Sequence, residues 1–340
     1  MVIKAKRRNI MLKKVVLTGL IIAAFVVGQA FFTTANAVEI KIATILPEDS
    51  ELGEAIKYFK ELTEERSGGE ITVVPYFGAV LGEEKSVLEQ LGTGDTEMNV
   101  GGSGTIIWHA PEYYITGIPF LYKSGQQVKE LTDRLIEERI RDLLIDRINV
   151  RVLGGSLRAP RNLLTTERKI LYPEDVEGMT LRLPTYESWI EGWKMFGAHP
   201  TPIPGAEQFS AFQMGVIEAT ENPLSVLYSM RLTELGKYIH LTEHLHALRI
   251  WSISEPFYQS LSDEHKQLVE ETANIAIDYL TERNLEVDNE VIVQIQEQGL
   301  EVVVPDTNAF REQVKPVVDK LKDSWAPGLY EEYVQPLLAE

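Results

Sequence analysis

Arginines are concentrated in one short part of the chain. Arg158, Arg161 and Arg168 lie close together, and Arg182 follows on a predicted strand between two leucines, just before Pro184. The planar guanidinium group of arginine can pair with both oxygens of a carboxylate at once. Two roles are therefore open for Arg182: a salt bridge to one of the 51 acidic residues of the chain, or a fork that binds the carboxylate of a ligand.

Two other segments have residue types suited to contact with a small ligand. Asn222 ends a predicted strand where Pro223 stops the hydrogen-bond ladder, and its amide can both donate and accept, although a simple turn asparagine is the alternative. Ser103 lies in a glycine-rich segment, 101–104, that also follows a strand. This segment lacks the glycine spacing of a dinucleotide loop and the lysine of a phosphate-binding loop. We therefore expect its backbone to lie near a small ligand and not near a nucleotide.

Three histidines, His240, His244 and His246, stand with Glu243 at spacings that a zinc site could use. On a strand all three would share one face, whereas on a helix only the first two would. We expect surface or lobe-crossing histidines here, with no metal and no cofactor. The chain has no cysteine, no Gly-x-Ser-x-Gly and no His-Glu-x-x-His, so a hydrolase is poorly supported.

The elements that must position these residues alternate between strands and helices. Apolar/polar alternation predicts strands at 38–45, 71–77, 97–100, 151–155, 179–183 and 216–220, with 201–204 extended. Helical spacing predicts helices between Ser50 and Ser67 and at 83–91, 188–196 and 207–214. This order is typical of an α/β fold with a largely parallel sheet, followed by a second α/β unit.

One predicted helix is too long for a single small domain. Ser262 is a suitable N-cap, and apolar residues keep helical spacing from Val269 to Ile295. A helix over 263–298 would span about 54 Å. We therefore expect it to lie across both units.

The N-terminus predicts export. A basic start is followed by the apolar stretch 15–32 and by Ala35-Asn36-Ala37, which together are typical of a cleaved signal peptide over residues 1–37; an uncleaved anchor is the alternative. The segment holds six basic residues and no acidic ones, so the mature chain keeps 27 basic and 51 acidic residues, a formal charge of −24. Nucleic acid binding is not expected of such a chain, because phosphate contacts require clustered Lys and Arg.

The central part of the chain resembles the solute-binding proteins of TRAP (tripartite ATP-independent periplasmic) transporters, of the dicarboxylate type. The matching segments are RNLLTTERKI at 161–170, PEDVEGMTLRLP at 173–184, GAHPTPIP at 197–204 and ENPL at 221–224, with Glu207 between the last two. Gly205 stands where some sialic acid binders have an aromatic residue, so a smaller acid is expected.

The resemblance implies a two-lobed periplasmic binding protein in which the long helix spans both lobes. Lobe I would comprise 38–159 and about 248–287, and lobe II 160–247 and about 288–340. By position, Arg182 matches the arginine that makes a bidentate salt bridge with the ligand carboxylate. Arg161 matches a supporting arginine, and Asn222 matches the amide at the same end of the ligand. Glu207 matches a position beside the cleft. Trp189 is shared with some members that resemble sugar-acid binders, with core packing as the alternative.

The expected function is capture of a small organic acid, such as a sugar acid or a dicarboxylate, and its delivery to TRAP membrane subunits. We expect a monomeric periplasmic protein that catalyses no reaction. Two alternatives remain open at this stage. One is a sensory binding protein that docks on a signalling receptor, and the other is a periplasmic enzyme acting on organic acids.

Overall fold

Two β-sheets organise residues 38–338, the part of the chain that the computed structural model describes. The strands are β1 (Val38–Ala43), β2 (Ile71–Tyr76), β3 (Met98–Gly101), β4 (Val150–Leu157), β5 (Arg161–Thr165), β6 (Thr180–Leu183), β7 (His199–Pro202), β8 (Ala219–Asn222), β9 (Tyr238–Leu245), β10 (Leu248–Ser254) and β11 (Glu301–Val303). The first sheet has the order β2-β1-β3-β10-β4, and the second has the order β11-β9-β5-β8-β6-β7.

Helices cover and connect the two sheets. They are α1 (Glu51–Arg66), α2 (Glu84–Thr93), α3 (Gly104–His109), α4 (Gly125–Leu135), α5 (Arg141–Ile148), α6 (Glu187–Met195), α7 (Gln208–Gln213), α8 (Leu224–Ser229), α9 (Glu255–Ser260), α10 (Asp263–Glu297), α11 (Thr307–Arg311) and α12 (Lys315–Leu321). A π-helical turn, Ile136–Ile140, joins α4 to α5. Alternating strands and helices confirm the predicted α/β class.

Short segments carry the chain between the sheets at two places, and the long helix α10 carries it across a third time, from β10 to β11. Between β4 and β5 it leaves the first sheet for the second, and between β9 and β10 it returns. The two crossings run side by side, since the Arg158 backbone N–H donates to the Ala247 carbonyl at 3.0 Å. Each sheet thus forms the centre of one lobe, and the crossing segments join the lobes.

Helix α10 contacts both lobes. Its 35 residues span about 52 Å. Thr272 hydrogen-bonds Thr63 of α1 at 2.9 Å, and Asn284 donates to the carbonyl of Leu157, at the end of β4, at 2.7 Å. Farther along, the Asp288 carboxylate accepts from the backbone of Ser225 in α8 at 2.9 Å. The prediction of one long helix across the molecule is confirmed.

The structure differs from the sequence-based expectations in two details. The first sheet is not largely parallel around β10, because this strand returns from the other lobe and runs antiparallel to both β3 and β4. The strand expected at 216–220 begins only at Ala219. Gly215, with φ +70°, ends α7 in the left-handed conformation, and Val216 still bonds back to Ala211, so the strand cannot start earlier.

An aromatic cluster lies in the largest hydrophobic core. Phe120 stacks on Phe310 with ring centroids 4.7 Å apart and meets Phe196 and Trp193 edge-on.

Between residues 38 and 338, no helix is both long and apolar enough to cross a membrane.

Candidate functional site

A cavity of about 420 Å³ lies between the lobes. The first sheet and its helices contribute Glu84, Ser103 and Trp108, and the second lobe contributes Arg182, Trp189 and Asn222 to the lining. This volume is in the range of small-ligand sites in proteins.

Arg182 projects into this cavity from β6. Its side chain is buried, and its Nε and Nη2 donate to the carbonyl oxygen of Ile203 at 2.9 and 2.6 Å. Within residues 38–338, no carboxylate lies within 4.0 Å of it. Burial lowers the pKa of Arg182 to about 10, which is the direction expected for an uncompensated cation. The salt-bridge alternative is therefore not what the structure shows for Arg182.

The Ile203 carbonyl also fixes the orientation of the Arg182 guanidinium. It accepts from one edge of the group, that of Nε and Nη2. The end of the group, which carries the two N–H bonds of Nη1 and the second N–H of Nη2, has no hydrogen-bond partner within 38–338. This end can pair with both oxygens of a carboxylate.

Arg161, in contrast, is already paired. From β5 it makes a bidentate ion pair with Glu221 on β8, whose carboxylate also lies 3.2 Å from His244 Nε2. Burial alone would raise the pKa of Glu221, but Arg161 and His244 outweigh it and lower this pKa to about 2. The Arg161 guanidinium stacks 4.7 Å from the ring of Trp189. Arg161 and Trp189 thus form one wall of the cavity.

Asn222 is held by polar contacts on both sides of its amide. Its Oδ1 accepts from Arg158 Nη2 at 3.3 Å, and its Nδ2 lies 3.5 Å from Gln208 Oε1. Pro223 follows at the end of β8, as the sequence indicated, and α8 begins at Leu224. The amide is therefore oriented, not free to rotate as in a surface turn.

The glycine-rich segment 101–104 lies against the cavity. Ser103 is buried and its hydroxyl donates to the carbonyl of Leu248 at 3.2 Å. A Cβ atom at Gly104 would stand 2.6 Å from the Trp108 ring and 2.8 Å from the Tyr186 hydroxyl. The absence of a side chain at this position therefore allows two aromatic residues of the cavity wall to approach the backbone.

Glu207 does not line the cavity. It is exposed, at the end of a short 3₁₀ turn, while the next residue, Gln208, is buried and reaches the lining. Arg168 also lies outside: it bonds the carbonyls of Asp175 and Glu177 and lies 3.4 Å from Glu218. Sequence position alone did not separate these residues from the ones that face inward.

The predicted histidines lie on or just after β9 and have structural partners. His240 Nε2 accepts from the Ile170 backbone N–H at 2.9 Å, and its Nδ1 lies 3.3 Å from the Leu163 carbonyl. His244 bonds Thr242 at 2.8 Å in addition to Glu221. In residues 38–338 no group of three or more metal-ligating side chains stands together.

The structure adds cavity residues that the sequence-based site lacked: Glu84, Arg158, Tyr186, Gln208 and Arg249. Arg249 had a signal in the sequence, because it sits on a strand between Leu248 and Ile250, just as Arg182 sits between two leucines. Glu84 and Gln208 had none, since each is a polar residue at the start of an ordinary helix.

The lobes touch across the cavity at its rim. Glu83 Oε1 accepts from the backbone N–H of Ala206 at 3.1 Å, and Trp108 Nε1 donates to the Thr185 carbonyl at 3.3 Å. The rings of Trp108 and Tyr186 meet edge-on at 5.5 Å. The arginines are thereby enclosed by residues of both lobes.

Comparison with known proteins places this geometry in a family. Residues 42–324 match the model of bacterial extracellular solute-binding protein family 7, DctP. A solute-binding protein of Roseobacter denitrificans, RD1_1052, is 30% identical over 279 residues, which are 78% of this chain and 85% of that protein. The sialic acid-binding periplasmic protein SiaP of Vibrio cholerae is 27% identical over 261 residues, 77% of this chain and 81% of SiaP.

Solved structures give the same result. The Ochrobacterium anthropi TRAP periplasmic solute-binding protein with bound L-fuconate superposes with a TM-score of 0.83 at 29% identity, covering 88% of this chain and 99% of that one. The Roseobacter denitrificans protein with bound L-galactonate gives 0.81 at 28%, covering 88% and 98%. The chain therefore belongs to family 7 of the bacterial extracellular solute-binding proteins, the DctP family of TRAP solute-binding proteins, as its central segments predicted.

Proposed function

We propose that this protein binds a sugar acid in the periplasm and delivers it to TRAP membrane subunits. The observation that carries the proposal is the state of Arg182. Its guanidinium is buried, oriented by the Ile203 carbonyl, and has no carboxylate within 4.0 Å among the described residues. A buried cation without a partner is costly, so the natural partner is the carboxylate of a ligand.

The rest of the cavity suits a polyhydroxy acid better than an apolar one. Glu84, Tyr186 and Gln208 offer hydrogen-bonding groups, and Trp108 and Trp189 offer aromatic surface. The solved relatives at 28–29% identity were found with L-galactonate and L-fuconate. We extend this ligand class to the present chain, with Arg182, Asn222 and Arg161 at the carboxylate end and Ser103 and Trp189 in the walls.

Binding is proposed to work through lobe closure. A ligand that contacts both lobes stabilises the closed arrangement over the open one by its differential affinity for the two. We propose the lobe boundaries at the two crossings and within α10, with 38–159 and about 248–287 in lobe I and 160–247 and about 288–340 in lobe II. The rim contacts of Glu83 and Trp108 belong to the closed arrangement.

We further propose that the protein acts without a catalytic step and as a monomer. Export depends on the signal peptide predicted at 1–37, a segment outside the described residues. Delivery to the TRAP membrane subunits is inferred from membership of the family.

The direct test is a thermal-shift screen of the mature protein against sugar acids, the corresponding neutral sugars and short dicarboxylates. A true ligand at 100 times its dissociation constant should stabilise the protein by about 2.7 kcal/mol. The proposal expects stabilisation by at least one sugar acid and none by its neutral counterpart. Stabilisation by neutral sugars alone would show that Arg182 does not serve a carboxylate.

A further inference from the structure

We propose that Gln208 is a positioning residue of the binding site. It holds the side-chain amide of Asn222 so that an N–H group, and not the carbonyl oxygen, faces the carboxylate of the ligand. This inference deepens the proposed function and rests on it, because it takes the ligand carboxylate to lie beside Arg182 and Asn222.

Gln208 is a buried polar residue in the wall of the cavity. It is the first residue of α7, and only 2% of its surface is exposed. Its Oε1 accepts from the Thr220 hydroxyl at 3.3 Å and lies 3.5 Å from Asn222 Nδ2. Its Nε2 donates to the sulfur of Met230, directly after α8, at 3.0 Å. The Gln208 amide therefore turns its oxygen towards the end of β8 and its nitrogen towards Met230.

The orientation of the Asn222 amide follows from its two neighbours. Arg158 has only N–H groups to offer, so it requires the amide oxygen, which it contacts at 3.3 Å. Gln208 presents an oxygen and so requires the amide nitrogen. If the Asn222 amide were rotated by half a turn, its oxygen would face Gln208 Oε1 and its nitrogen would face the Arg158 guanidinium. Both contacts would be repulsive, so both neighbours favour the same orientation.

The strand register brings this amide close to Arg182. Strands β6 and β8 run parallel, and Arg182 is paired with Thr220. Asn222 follows Thr220 by two residues, so the two side chains lie on the same face of the sheet. The contacts of Gln208 with both of them agree with this placement. Arg182 and Asn222 both line the cavity.

The Asn222 amide keeps one donor for a ligand. Its Nδ2 carries two N–H bonds, and the contact with Gln208 is its only hydrogen bond within residues 38–338. The second N–H is available to the carboxylate that Arg182 binds. The amide oxygen, which would repel a carboxylate, is held by Arg158. Without Gln208 the amide would keep one tether and could rotate, so part of its contact with the ligand would be lost.

The test is a double-mutant cycle, measured by titration calorimetry on the mature protein. The probe is whichever of L-galactonate, L-fuconate and D-galacturonate binds the wild-type protein most tightly. Gln208→Met removes the amide and keeps an unbranched side chain of similar length, and it should weaken binding by about 3-fold to 10-fold, the factor of one neutral hydrogen bond. In the Asn222→Ala background the same substitution should change the affinity by less than about twofold, because the oxygen then has no amide to hold. A direct contact of Gln208 Nε2 with the ligand would survive in that background, so the cycle separates the two roles.

The control is Gln213→Met, the same substitution at an exposed position of the same helix, which should leave the affinity within about twofold of wild type. Thermal unfolding without ligand checks that each variant is folded, and Gln208→Leu supplies a second cycle if Gln208→Met folds poorly. Wild-type affinity in the Gln208 variants, or an equal loss with and without the Asn222 amide, overturns the inference and leaves the proposed function intact. Binding of none of the three acids overturns both.

Discussion

Arg182 provides the sharpest test of the binding site, through two substitutions that separate charge from shape. Arg182→Met removes the cation and keeps an unbranched apolar side chain. Arg182→Lys keeps a cation but replaces the planar fork by an ammonium group, which cannot make the paired contact with a carboxylate. Comparing the two variants shows whether binding needs the charge, the geometry or both.

The expected losses of affinity follow from the contacts. In Arg182→Met the ligand carboxylate is desolvated without a partner, which should cost about 2 to 5 kcal/mol of binding, or roughly 30-fold to several-thousand-fold. In Arg182→Lys one of the two charged hydrogen bonds is lost, which should cost about 1.5 to 3 kcal/mol. Asn222→Ala removes one amide contact and should fall in the same range as Arg182→Lys.

The structure also predicts that folding of the ligand-free protein tolerates Arg182→Met. Lowering the Arg182 pKa to about 10 corresponds to roughly 3 kcal/mol against the charged form, a cost that the substitution removes. The carbonyl of Ile203 loses its two donors, which costs about 1 to 3 kcal/mol. These effects nearly cancel, so the melting temperature without ligand should stay close to that of wild type.

Calorimetry with the sugar acid found by screening, together with thermal unfolding of the ligand-free proteins, measures both quantities. Wild-type affinity in Arg182→Lys would refute the fork geometry. Wild-type affinity in Arg182→Met would refute the whole site. A large loss of stability without ligand in Arg182→Met would show that this cation serves the fold.

Three further predictions concern other parts of the chain. The exported protein should begin at Val38, and an intact mass that retains residues 1–32 would restore the membrane-anchor alternative. Glu221→Gln should destabilise the protein by about 3 to 5 kcal/mol in urea unfolding, because it strands the buried Arg161; an unchanged midpoint would contradict this. Burial lowers the pKa of His240 to about 4, so its neutral form is favoured on folding and its contribution to stability is lost as pH falls from about 6.5 towards 4. Stability should therefore drop by about 2 kcal/mol more between pH 7 and 5 in wild type than in His240→Gln, and equal drops would disprove it.

The local sequence pattern was sufficient to predict most of the fold. The long helix was predicted within a residue of its end because its cap and apolar spacing lie in one continuous stretch. The antiparallel pairing of β10 was not predictable in the same way, because β10 pairs with strands that are far from it in the sequence. The late start of β8 depends on Gly215, whose left-handed conformation ends α7 and was not anticipated.

The candidate site was predictable only where a charged residue stands among apolar neighbours in the sequence. Arg182 is a cation between two leucines on a predicted strand, and Arg249 lies in the same way between Leu248 and Ile250. Arg161 and Glu221 are sixty positions apart, so their ion pair required the register of β5 against β8. The motif indicates Glu207, whereas the turn before α7 directs the following residue, Gln208, to the cavity.

Helix α10 has a mechanical consequence for how the cleft opens. It is tied to α1 at Thr272, to the crossing segment at Asn284 and to α8 at Asp288, so its two ends follow different lobes. Any rotation of one lobe against the other must therefore curve the helix between these attachment points or break one of them. An intact helix resists curvature along its whole hydrogen-bonded length, and opening thus carries an elastic energy that a hinge made only of loops would lack.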